Sequence, residues 1–250
     1  MNYTQRLGGR WTVGLAVAAL ASMVASLTAA PLHQGFAKVR YVVGQAEYAK
    51  PGGQKQKLEK GMALQPGDTI YSGAGAHVDI ALGNNNGSIE VAPDSELKLD
   101  TLTWEYSGLE VVHNTQLSLS KGVVYGQVNK MNAASKYEVK TPKAVAGIRG
   151  TRYRIAANGD VTVSEGTVII SIVQPDGSIK TFTITAGNTL VAATGTIRPA
   201  TDQELKDVNT QTLDAMTHGG YDAAGLDPDT KKFLNEGRQE PFVSPTLPLR

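Results

Sequence analysis

The sequence predicts an all-β protein, a twisted β-sandwich or a rolled, loosely coiled β-structure of short strands, with a small helical appendage near its C-terminal end. Three observations lead there. From Val39 to Ile197 the apolar residues recur with period two, the spacing that sends alternate side chains to one face of a strand. Clusters of Gly, Pro, Asn and Asp interrupt that pattern at short intervals. The 250 residues include 27 glycines and no cysteine, a composition suited to tight turns and a sheet held by pairing and burial without disulfides.

The chain opens with Arg6 and Arg10 and no acid, then runs from Trp11 to Leu27 with only apolar, small or hydroxyl side chains. A positive start followed by an apolar run is what the export machinery reads. Residues 1–37 are therefore read as a signal peptide or N-terminal anchor. Thr28-Ala29-Ala30 is a small-residue cleavage site, though Pro31 follows it, and Gly35-Phe36-Ala37 is a later alternative. At about 1.5 Å per residue the run is also about long enough to span a bilayer, so an uncleaved anchor stays open. The expected location is the periplasm or cell envelope, secreted or anchored by residues 11–27. His33 is expected to leave with the leader.

Residues 38–199 form the expected β domain. In His77–Leu82 the residues Val78, Ile80 and Leu82 alternate with His77, Asp79 and Ala81; the same alternation recurs in Ile89 and Val91, Leu97 and Leu99, Leu117 and Leu119, Val161 and Val163, and Phe182 and Ile184. Val168–Val173 is apolar at almost every position, which predicts a central strand covered on both faces. Pro51-Gly52-Gly53, Pro66-Gly67-Asp68, Asn86-Gly87, Asn158-Gly159-Asp160 and Pro175-Asp176-Gly177 supply the turns.

The pattern changes at Thr201. Thr201 and Glu204 form a capping box, and Leu205, Val208, Leu213 and Met216 share one helical stripe that stops at Gly219-Gly220. Residues 200–220 are read as a helix docked on the sheet. Residues 221–250 are read as a short helix from Asp227-Pro228 to about Gly237, then an extended or disordered tail.

The segment Tyr137–Val168 carries an ordered set of motifs: Thr141-Pro142, the small-residue run to Gly147, Arg149-Gly150-Thr151, a strand, and Glu165-Gly166-Thr167-Val168. It resembles the core signature of the FecR domain family, and weaker similarity extends the resemblance over about Val39 to Ala193. The insertion between Thr101 and Gln116 fits it poorly. The resemblance implies an extracytoplasmic recognition module with no reaction attached. Members include sensor regulators that control a sigma factor across the inner membrane. Here only Met1–Arg10 precede the apolar run, too few for a sigma-binding domain, so direct anti-sigma activity is not expected.

Read physically, Gly147 and Gly150 permit positive φ or close approach, and Pro142 marks an edge, a bulge or a strand's first residue. Arg149 is expected to fold onto the protein with Glu165 as its first candidate partner; the alternative is a guanidinium offered to a binding partner.

Other chemistry is sparse. With 24 Lys and Arg against 23 Asp and Glu, and no basic stripe, nucleic acid is not expected as a partner. His33, His77, His113 and His218 stand singly, so no metal or cofactor site is expected. Asp79, Glu90, Asp94 and Glu96 occupy positions that usually face solvent; a catalytic acid pair among them is the enzyme alternative, ranked below binding. Trp104 and Tyr106 alternate, so both project from one face, either as sheet packing or as a platform for a sugar or protein. The function expected is an extracytoplasmic binding or signal-sensing module, with a structural or assembly role in the envelope as the alternative. Its partner would be an envelope protein or polysaccharide, and membrane contact is expected only if the N-terminal segment is uncleaved. The candidate binding residues are Thr141, Pro142, Gly147, Arg149, Gly150, Thr151, Glu165, Gly166, Trp104 and Tyr106.

Overall fold

The computed structural model of the protein describes residues 32–83, 87–174 and 176–218. The leader up to Pro31, the Asn84-Asn85-Asn86 turn, Pro175, and the second helix and tail expected after residue 220 lie outside the described residues. Within them the order is β1 (His33–Gln34), β2 (Ala37–Val43), β3 (Ala46–Ala49), β4 (Gln56–Lys57), β5 (Ala63–Leu64), β6 (Thr69–Ser72), β7 (His77–Leu82), β8 (Gly87–Val91), β9 (Glu96–Ser107), β10 (Glu110–Lys121), β11 (Val123–Val128), β12 (Lys136–Lys140), β13 (Ala144–Ala156), β14 (Val161–Val173), β15 (Ile179–Thr185), β16 (Asn188–Val191), β17 (Thr196–Pro199) and α1 (Asp202–His218). The protein is thus mostly strand with one helix among the described residues, as the period-two pattern predicts.

The strands make one large curled sheet in which β10 and β12 are parallel neighbours. Two long strands account for the curl. β13 and β14 pair antiparallel along most of their length, yet each changes its second neighbour part-way. β13 pairs with β12 through Val145–Gly147 and with β11 through Thr151–Ala156. β14 pairs with β16 through Val161–Val163 and with β15 through Thr167–Val173. A strand that changes partners sends the sheet off in two directions, so two wings fold toward each other. One wing runs β12, β10, β9, β6, β3; the other runs β11, β8, β7, β2. Leu97, Leu99, Leu117 and Leu119 of the first meet Ile80, Ile89, Val91 and Val124 of the second in one core. Their burial is the main favourable term holding the wings together.

The partner change falls on the Arg-Gly-Thr motif. The β13–β14 register shifts between Arg149 and Arg152, where Gly150 has φ +59° and Gly166, across from it, φ +81°. Thr151 is buried and bridges the gap: its hydroxyl donates to the carbonyl oxygens of Arg149 (3.1 Å) and Thr167 (3.0 Å) and accepts from Thr167 N–H (3.3 Å). A side chain thus stands in for the ladder bonds the bulge removes.

α1 begins with the expected capping box: Thr201 N–H donates to Glu204 Oε2 (2.8 Å), and Glu204 N–H donates to Thr201 Oγ1 (3.2 Å). Its buried stripe is only partly the predicted one. Val208, Thr212 and Ala215 are buried, whereas Leu205, Leu213 and Met216 are only half-buried. The reason is the surface beneath it. The helix lies on the outer face of the second wing, where cross-strand pairing lines up Asp79, Glu90, Tyr125, Arg154, Thr162 and Thr189. A polar row of that kind is met by small side chains at close range.

Three further expectations are corrected. Asp79 and Glu90 do point away from the core, but α1 covers them, leaving them 2% and 3% exposed. Val168–Val173 is flanked by strands on both edges yet covered on one face only, because Ile169 and Val173 project to solvent. The sheet also takes in residues expected to belong to the leader: His33 and Gln34 pair with Trp104 and Thr103, and Ala37 is fully buried.

Candidate functional site

The Thr101–Gln116 insertion becomes a projecting arm, the distal part of the β9–β10 hairpin. Its turn is the two-residue Gly108-Leu109, with Gly108 at φ +66°. Positive φ at the first central residue is what such a hairpin turn needs and glycine adopts without strain. Leu109 at the tip is fully exposed.

Both flanks of the arm are braced. On the β9 side, Gly35 N–H donates to Leu102 C=O (2.7 Å) beside the β1 pairing. On the β10 side, Asn132 Nδ2 donates to Val111 C=O (2.9 Å) and His113 N–H donates to Ser135 Oγ (3.0 Å). Asn132 Oδ1 accepts from Ser135 N–H (2.9 Å), which fixes that loop in turn. The side chains of Asn132 and Ser135 therefore extend the bonding to β10 ahead of the start of β12.

Leu102, Trp104 and Tyr106 share one face of β9. Leu102 is in the core, Trp104 is half-buried and Tyr106 is exposed, so a core-facing row runs out past the core. Tyr106 meets the Trp104 ring edge-on, with centroids 5.4 Å apart and planes at 87°. His33 stacks on Trp104 at 4.2 Å and 16°. His113 stands opposite Trp104 in the pairing register. Its Nδ1 is buried without a hydrogen-bond partner, and burial holds the ring's pKa below the ordinary histidine value. Beside it a shallow crevice is lined by Gly35, Phe36, Leu82, Gly83, Trp104 and His113, among others. An aromatic ledge of this kind can stack on an apolar ring or a sugar face.

A second polar cluster lies beneath α1. His77 Nδ1 and Glu90 Oε1 are 3.1 Å apart. The Gln211 amide, in the orientation that satisfies both groups, donates to Glu90 Oε1 (3.0 Å) and Oε2 (2.5 Å). Burial, helped by the charges of Asp79 and Asp214, raises the Glu90 carboxyl to about 7 against the pull of His77. The helix covers Glu90 while His77 stays partly exposed, and the cluster serves to dock the helix.

The motif residues divide between the joint and the surface. Thr141 shapes the β12–β13 turn: its N–H donates to Ala144 C=O (2.8 Å) and its hydroxyl accepts from Ala144 N–H (3.0 Å). Pro142 sits exposed in that turn. Gly150, Thr151 and Gly166 make the wing joint. Gly147 has ordinary φ, and an added Cβ there would meet only the Ile169 carbonyl at 3.7 Å, so neither reason expected for a glycine holds at that position. Glu165 pairs with Arg152, directly across from it, at 3.4 Å; Arg149 instead faces Thr167 in register and is exposed. The structure does not bring Arg149 and Glu165 together with Trp104 and Tyr106 in one site. Sequence reasoning found Trp104 and Tyr106 and their common face; it missed His33 and His113, because only the strand register places them beside the indole.

The family described as FecR protein matches residues 68–169, from the start of β6 into β14 and narrower than the sequence resemblance. No curated protein matches the chain. Two crystal structures of a candidate anti-sigma factor from Parabacteroides distasonis are similar at 14% identity, with TM-scores of 0.42 and 0.41. The alignment covers 56% of this chain and 62% of theirs.

Proposed function

We propose, for a chain that carries a domain of the FecR family over residues 68–169, that it is an exported binding or signal-sensing module acting without catalysis, with the β9–β10 arm as its recognition surface. The observation that supports this best is the ledge of His33, Trp104 and Tyr106, which continues the core face into solvent and is braced on both flanks. Aromatic side chains held rigidly in part exposure lose little entropy on binding, which is why they recur as interface anchors. The partner is an envelope protein or polysaccharide.

Export follows from the Arg6, Arg10 and Trp11–Leu27 pattern. Cleavage, where it occurs, falls at Thr28-Ala29-Ala30 ahead of β1, because a cut after Ala37 would remove His33 from Trp104.

The test is a crosslinking pulldown of the tagged full-length protein from its native envelope, comparing wild type with Trp104→Ala and Tyr106→Ala. Mass spectrometry identifies the partner and the bait's own N-terminus. A partner captured by wild type and lost by both variants, with their thermal unfolding unchanged, supports the reading. Equal capture by all three overturns the assignment of the arm. A second reading, an assembly component of the envelope, is favoured by one specific feature, the edge of β15 that no described strand takes.

A further inference from the structure

Among the described residues, the outermost strands of this sheet are short, with one exception. β1, β4 and β5 have two residues each, and β17 has four and ends in Pro199. Short length and proline are common ways of blunting an edge against further pairing. β15 differs: it has seven residues, pairs with β14 along all of them, and no described strand takes its other side. β17 runs back along β16 as far as Ala200, whose N–H donates to Gly187 C=O (2.9 Å). One more extended step would bring it alongside β15, and there the Thr201 cap starts α1 and carries the chain away.

The surface beside this edge is apolar. Val145, Ile169, Val173 and Ile179 are 40%, 53%, 56% and 70% exposed. Pairing places them around Ser171 and Thr181 on the outer face of β13, β14 and β15. The hydroxyls of Ser171 and Thr181 bond each other at 2.9 Å, which leaves that part of the face less polar than its sequence.

We infer that β15 is a self-association edge, on which a second copy of this chain pairs through its own β15, antiparallel, about a two-fold axis at Phe182. The sequence of the strand, Ile-Lys-Thr-Phe-Thr-Ile-Thr, is complementary to itself in that register. Thr181 falls opposite Thr183 of the second copy, a favourable cross-strand pair, and Lys180 falls opposite Ile184, so no like charges meet. A two-fold contact uses the same patch on both copies and closes after two, so the edge is consumed rather than propagated. Of the C-terminal residues, 241–250 are poor occupants, since Pro241, Pro245 and Pro248 interrupt them and proline cannot donate to a ladder. One strand pair and an apolar strip make a small interface, so the dimer is expected to be weak and dependent on protein concentration. This inference is independent of what the β9–β10 arm binds.

The experiment is sedimentation velocity of the full chain, as purified from the envelope, over a range of concentrations, beside a Thr181→Lys/Thr183→Lys double variant. Both substitutions fall on exposed positions and set lysine against lysine across the two-fold axis. The expected result is a concentration-dependent wild-type dimer and a monomeric double variant with the same melting temperature. Because the chain has no cysteine, mixed Thr181→Cys and Thr183→Cys proteins report the register. On mild oxidation the mixture should crosslink at least about tenfold faster than either protein alone, since only unlike pairs stand directly opposite, at Cβ distances a disulfide can bridge. A wild type that stays monomeric, a dimer that survives the double variant, or equal crosslinking in all mixtures would each overturn the inference; capture of a foreign extended peptide by a monomeric wild type would reassign the edge to that peptide.

Discussion

Arg198 and Glu204 meet fork to fork: Nη2 donates to Oε1 at 2.7 Å and Nη1 to Oε2 at 2.8 Å, while the same carboxylate closes the capping box on Thr201. One side chain thus joins the last strand to the first turn of α1. The Arg198 hydrogen bonds and the Thr201 amide hold the Glu204 carboxyl down at about 2, below its ordinary 4.5. A depressed acid contributes stability that is fully present above about pH 4.5 and is lost as pH falls toward 2. Glu204→Gln should weaken α1 by about 1 kcal/mol, the usual scale for a lost cap at a partly exposed site. Helical circular dichroism during urea unfolding at neutral pH checks this, and the difference from wild type should shrink below pH 4.

Glu90 has the opposite sign. Its carboxyl is raised from 4.5 to about 7, chiefly by burial under α1, so the folded state binds its proton more tightly than the unfolded chain. The associated stability is greatest below about pH 4.5 and is lost as pH rises to about 7. His77, Asp79, Gln211 and Asp214 are the groups around it. Glu90→Gln should raise stability at pH 8 by on the order of 2 kcal/mol and change little at pH 4. Thermal melts at the two pH values decide it; a destabilised variant at pH 8 would mean that the ionised carboxylate is needed for docking.

The wing joint predicts a contrast between two glycines of the signature. At Gly166 an added Cβ would collide with the Gly150 carbonyl, and φ is already +81°. Gly166→Ala should cost more than about 2 kcal/mol, from positive φ and overpacking together. Gly147→Ala, with its nearest neighbour at 3.7 Å, should stay within about 0.5 kcal/mol. Equal effects in equilibrium unfolding would remove the joint as the reason for the motif.

Arg149 separates structure from recognition in the same way. Exposed and facing Thr167, it should tolerate Arg149→Ala within about 0.5 kcal/mol, whereas the sequence alone suggests a destabilising loss of an ion pair. Any defect in partner capture by this variant would then report a second contact surface.

Thr151 offers a more local check. Thr151→Val keeps the shape but removes the hydroxyl that serves Arg149 C=O, Thr167 C=O and Thr167 N–H. A loss of about 1–3 kcal/mol is expected from buried groups left unpaired. Faster amide exchange at Thr167 should accompany it.

The sequence by itself determined the strand content, the capping box at Thr201, the common face of Trp104 and Tyr106, and the resemblance of Tyr137–Val168 to the FecR signature, because each rests on local periodicity or on a motif of a few consecutive residues. It could not determine which outward faces are covered. Asp79 and Glu90 look like solvent positions until α1, more than a hundred residues later, lies across them. It could not pair Glu165 with Arg152 rather than Arg149, because a bulge at Gly150 shifts the register there, and a one-residue slip in a strand exchanges its two faces. His33 and His113 reach Trp104 through strands 71 and 9 residues away in sequence, a neighbourhood set by pairing alone. The apolar run Val168–Val173 reads as buried on both sides; only the packing of the two wings leaves Ile169 and Val173 facing solvent beside a strand whose far edge no described strand takes. Local pattern fixes the elements, and non-local pairing decides which of their faces remains free to act.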